Sequence, residues 1–145
     1  MAATFALDTS CMIAAVCGWH EAHRRAAAAV ERRLADGEQM AVAVHALSEA
    51  YAVLTRLPAP HRLGPGDAWE LLRINFVEEA RIVSLSVRQH TALLGRLASS
   101  AVGGGRVYDA LIAECAIRSG AGALLTFNAR HFDPAPSGLS IIVPA

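Results

Sequence analysis

Short apolar runs alternate with longer stretches of helical periodicity along the chain. The strand-like runs are Thr4–Leu7, Met40–Val44, Arg81–Leu85, Ala123–Phe127 and Leu139–Val143. Between them, apolar positions recur at helical spacing over Ser10–Cys17, His20–Ala35, Leu47–Leu57, Asp67–Glu79, Val87–Ala101 and Arg106–Ser119. This β-α order predicts one α/β domain over residues 1–145, with a parallel sheet covered by helices on both faces. Two turn-rich stretches, Pro58–Gly66 and Gly103–Gly105, are loops too short to divide the chain into domains. No internal repeat is visible.

Composition narrows the picture. The 145 residues are 54% hydrophobic, enough for a sizeable core, yet the longest unbroken apolar run is only Cys11–Cys17. Asp8 interrupts the start of the chain, which therefore does not resemble a secretory signal. A cytoplasmic protein with no membrane partner is expected. Cys11, Cys17 and Cys115 are odd in number and lie in apolar surroundings, as free thiols packed like small hydrophobes do. The formal net charge is zero, so no overall field draws in nucleic acid, and anion binding must be local. All thirteen basic residues apart from histidine are Arg. Without Lys there is neither a P-loop nor a Schiff-base mechanism.

In open α/β sheets, ligands bind beyond the carboxyl ends of the strands, where strand order reverses. Asp8 follows the first strand and Asn128 the fourth; Glu49 lies just past the second, and Asp109 opens the helix after the glycine loop. Each has an ordinary reading. Asp8 could cap a helix, Asp109 could sit favourably at a helix N-terminus, Glu49 could be a solvated charge, and Asn128 could cap a short last helix. Together they suggest more. Asp8, Glu49 and Asp109 are embedded in apolar sequence, where carboxylates lose hydration and repel one another. A divalent cation relieves both costs, and an all-oxygen donor set suits Mg²⁺ or Mn²⁺. Such an ion can activate a water for attack on a phosphodiester.

The segments Leu7-Asp8-Thr9-Ser10, Ser48-Glu49, Val107-Tyr108-Asp109-Ala110-Leu111-Ile112 and Leu125-Thr126-Phe127-Asn128-Ala129-Arg130-His131-Phe132 resemble the PIN-domain family, most closely the VapC-type toxins of bacterial toxin–antitoxin pairs. The resemblance runs from Asp8 to Phe132. It implies a five-stranded parallel sheet, a Mg²⁺ or Mn²⁺ site, endoribonuclease activity, a homodimer and a cognate antitoxin partner. By position, Asp8, Glu49 and Asp109 match the acidic metal-site residues. Asn128 matches a fourth position where many members carry Asp, so a neutral Asn favours one well-held metal. Thr9 and Thr126 are candidate supporting hydroxyls, and Arg106 a candidate phosphate contact. The neutral Asn128 also motivates an alternative, a PIN-like RNA-binding or scaffold module without catalysis.

Other features carry less. His20-Glu21-Ala22-His23 is one residue short of the zinc-protease spacing, and a solvated helical face is expected there. His45, His61, His90 and His131 show no ligand spacing; His131 lies near the site, where it could touch RNA, but is expected to pack beneath the last strand. Arg25 and Arg32 share a helical stripe facing RNA or solvent. Glu114 is expected to point away from Asp109, supporting the site from behind or facing a partner. Trp19 and Trp69 are expected as core or interface anchors. A haloacid-dehalogenase-like phosphatase is disfavoured, because Ser10 stands where the second Asp would be needed and there is no Lys.

Overall fold

The structure, a computed structural model, describes residues 2–145. Its elements run β1 (Thr4–Leu7), α1 (Thr9–Val16), α2 (His23–Ala35), β2 (Gln39–Ala43), α3 (Val44–Arg56), α4 (Pro65–Leu72), β3 (Arg81–Val83), α5 (Val87–Ser99), α6 (Arg106–Arg118), β4 (Ala123–Leu125) and β5 (Ser140–Ile142). The strands form one parallel sheet in the order β3-β2-β1-β4-β5. Successive strand residues face opposite sides, yet Phe5, Ala6 and Leu7 in β1 and Met40 through Ala43 in β2 are all buried. Both faces are therefore covered, and the strands read as continuous apolar runs. The core joins these strands to Met12, Leu54, Leu72, Phe76 and Leu124. Among the described residues, no helix is long and apolar enough to cross a membrane.

Element boundaries differ from the periodicity for local reasons. α2 starts at His23 rather than His20, because turns occupy the intervening residues; the Ala22 N–H donates to His20 Nδ1 at 3.0 Å. α4 begins early, with Pro65 in its first turn, and its continuation over Arg73–Val77 widens into a π turn. Arg73 grips Glu70 and Glu78 across that turn. β2 hands over to α3 without a loop, so Glu49 sits well inside the helix. β4 ends at Leu125, where Thr126 turns its hydroxyl to a different task.

Because β2 and β3 lie to one side of β1, and β4 and β5 to the other, strand order reverses between β1 and β4. The residues just past these two strands are Asp8 and Thr126.

Candidate active site

Asp8 caps α1 and is nearly inaccessible, at 4% exposure. Its Oδ1 accepts from the Cys11 N–H at 2.9 Å and from Ser10 Oγ at 2.7 Å. Its Oδ2 accepts from Thr126 Oγ1 at 2.5 Å, across the β1–β4 switch point. The cap and the site are thus the same group. A cap alone needs no charge, since Asn caps as well as Asp. Burial pushes the Asp8 carboxyl above its ordinary pKa, the hydrogen bonds from Ser10, Thr126 and Cys11 pull the other way, and the charge of Asp109 raises it further. A carboxylate offers about four acceptor positions, and three are used, so Oδ2 retains one for a ligand.

Thr126 passes this arrangement on, because its Oγ1 also accepts from the Asn128 N–H at 2.8 Å. Asn128 precedes the 3₁₀ turn Ala129–Phe132 but makes no side-chain cap bond, so the capping expectation fails and its exposed amide is free for other work. Asp109 lies in the first turn of α6, with 24% of its side chain exposed. Burial raises its pKa, opposed by the neighbouring His131 and Arg106. Glu49 approaches from α3, its Oε1 accepting from Thr9 Oγ1 at 3.4 Å. The carboxyl ends of β1 and β4 thus gather Asp8, Thr126 and Asn128 through hydrogen bonds, with Asp109 felt electrostatically and Thr9 bonded to Glu49.

The three acids do not close into a cage: among the described residues, no three His, Cys, Asp or Glu side chains cluster as metal ligands. Glu49 instead faces His45 Nε2 at 3.1 Å, and Asp109 faces His131 Nδ1 at 3.6 Å. The donor chemistry nonetheless fits a hard cation. The donors are oxygens only, and the carboxyls of Asp8 and Asp109 carry a burial cost that a bound positive charge offsets.

A model of the PIN domain matches residues 5–135. The chain belongs to the PIN-domain family. It is 39% identical over 141 residues to Ribonuclease VapC27 of Mycobacterium tuberculosis strain H37Rv, covering 97% of this chain and 96% of that one. It is 36% identical over 123 residues to Ribonuclease VapC40 of M. tuberculosis strain CDC 1551, covering 85% of each. The same fold is seen in VapBC2 from Rickettsia felis bound to a promoter DNA fragment, at a TM-score of 0.68 and 21% identity, covering 98% of this chain and 99% of that one.

Within this PIN domain, several residues sit differently from expectation. His131 does not pack beneath the last strand; 40% of its side chain is exposed, beside Asp109. His45 is not idle, because one helical turn brings it onto Glu49. Trp19 and Trp69 are not core residues, at 45% and 48% exposure. Glu114 pairs with the exposed Arg96 and Arg118 at 3.3 Å each and ties α5 to α6. Arg25 lies over the Phe127 ring, 5.3 Å from its centroid, while Arg32 is exposed. His23 is occupied with the Ala14 carbonyl at 2.9 Å, which leaves no zinc-protease pair.

Sequence reasoning missed Ser10 as a positioning residue. Its Oγ donates to Asp8 and accepts from the Phe127 N–H at 3.0 Å, locking the start of α1 to the exit of β4. The signal was the Asp-x-Ser spacing, a local side-chain turn motif.

Proposed function

We propose that this PIN domain is a Mg²⁺- or Mn²⁺-dependent endoribonuclease acting in the cytoplasm as the toxin of a toxin–antitoxin pair. The observation that carries the reading is Asp8. A nearly inaccessible carboxylate is braced by three donors at the switch point and raised in pKa by burial and by a second acid. Cap geometry does not require that investment. The names of the relatives, both ribonucleases, support the substrate class. The VapBC2 complex supports an antitoxin partner, and a homodimer is part of the same proposal.

In this reading Asp8 and Asp109 hold the ion, with Glu49 completing the set directly or through water. The ion supplies positive charge at the scissile phosphate and a lowered water pKa. The chain's own residues do the rest. Ser10, Thr126 and the Cys11 N–H fix both oxygens of Asp8. Thr9 orients Glu49. Asn128, neutral and exposed, positions a water or a phosphate oxygen. Arg106, exposed in the same turn as Asp109, meets a phosphate of the substrate.

The test is incubation of the purified protein with total RNA and Mn²⁺. Cleavage is expected in the wild type. Asp109→Ala and Asp8→Asn are each expected to lose it by more than about 100-fold, beyond the effect of removing a group that only supports a ligand. Binding without cleavage by the wild type would instead establish the scaffold reading that the neutral Asn128 favours. Full activity of Asp8→Asn would remove Asp8 from the mechanism.

A further inference from the structure

Tyr108 stands immediately before Asp109 and is 52% exposed. One face of its ring is stacked on His45, with centroids 4.9 Å apart and planes within 10° of parallel. His45 is the residue whose Nε2 lies 3.1 Å from Glu49. The stack therefore joins α3 to α6, the helices that carry Glu49 and Asp109, at the edge of the acidic site. Among the described residues, no other aromatic ring and no cation lies over Tyr108.

We propose that Tyr108 is the platform on which one unpaired base of the RNA substrate stacks beside the acids, with His45 packed behind it. This rests on the ribonuclease reading above. His45 covers one face of the ring, and the residue is nonetheless half exposed. Bases stack on such rings whatever their sequence, because every base has a π-face. A base inside a duplex has both faces covered, so the nucleotide at Tyr108 is single-stranded or extruded. Arg106, two residues earlier in the same turn, supplies the cation for an adjoining phosphate. Base on Tyr108, phosphate at Arg106 and scissile phosphate at Asp8 and Asp109 then follow one strand. The other exposed stack, Trp19 on His61, joins two turns rather than the helices of the site.

The experiment measures binding of two labelled probes to the full chain carrying Asp8→Asn, which keeps the probes intact. One probe is an eight-nucleotide oligoadenylate, the other an abasic ribose-phosphate chain of equal length. Tyr108→Ala and Tyr108→Leu are expected to weaken oligoadenylate binding by about 5- to 150-fold, the range for losing one stacked base. Tyr108→Phe and Tyr108→Trp are expected to retain it, and the abasic probe to bind every variant equally. In the cleavage-competent protein, Tyr108→Ala is expected to raise KM on total RNA more than it lowers kcat. Retained oligoadenylate binding by Tyr108→Leu, or equal loss on both probes, overturns the platform, as does a wild-type KM in Tyr108→Ala. Failure of the parent protein to cleave any RNA overturns the ribonuclease reading instead.

Discussion

Thr126 is fully buried, and its single hydroxyl is used twice, donating to Asp8 and accepting from the Asn128 N–H. Thr126→Val keeps the shape and removes both bonds. It strands a buried carboxylate and a backbone N–H, at a cost of about 1–3 kcal/mol per unsatisfied group. Urea unfolding should register that loss, and RNA cleavage should fall by about 10- to 100-fold, the usual effect of losing a group that orients a ligand. Thr126→Ser should keep most of both properties; equal damage from Ser and Val would mean that packing, not the hydroxyl, matters here. At this scale legibility was uneven. Asp8 was visible as a charge misplaced among apolar residues. Ser10 was not, because serine is ordinary at a helix start and its bond to Phe127 spans 117 positions. The contacts of His45 with Glu49 and of His131 with Asp109 depend on helix phase and tertiary approach, which residue spacing does not display.

Strands and helices were more legible than residues. In a parallel sheet buried on both faces, the inner strands must be apolar runs, and the helices that cover them must each show an apolar stripe. That is why β1 matches its predicted bounds in full. Ends are decided by single side chains and are harder to read: β4 stops where Thr126 turns to Asp8, and α2 waits for the His20 turn. α5 shows a sharper start. Ser86 Oγ accepts from the Gln89 N–H, and the Gln89 side chain returns the bond to the Ser86 N–H. Ser86→Ala should cost about 1 kcal/mol, read as a lower denaturation midpoint with an unchanged slope. Cleavage should be untouched, because α5 contributes no residue to the acidic site; a nuclease defect in this variant would contradict the assignment.

For the whole molecule, the acids set a pH dependence with a definite sign. Asp8 and Asp109 have folded pKa values above their ordinary ones, chiefly through burial. Between the unfolded and folded values the native chain binds protons that the unfolded chain has released. The contribution of these two acids to stability without metal is therefore fully present below the ordinary carboxylate range and is lost as pH rises through that window. Urea titrations in EDTA at pH 4 and pH 7 should show the advantage of Asp8→Asn over the wild type growing with pH; a wild type more stable than Asp8→Asn at pH 7 would defeat this account. Mn²⁺ at a hundredfold excess over its Kd should restore about 2.7 kcal/mol to the wild type and little to Asp8→Asn. The bond between Asp8 and Thr126 bears on the chain's birth as well. It closes across 118 positions, so one oxygen of the acid made first waits for a partner made near the end. At about 5–20 residues per second, some 6–24 s of translation separate the two. The bracing of Asp8 is therefore completed only after β4 has been made, late in synthesis.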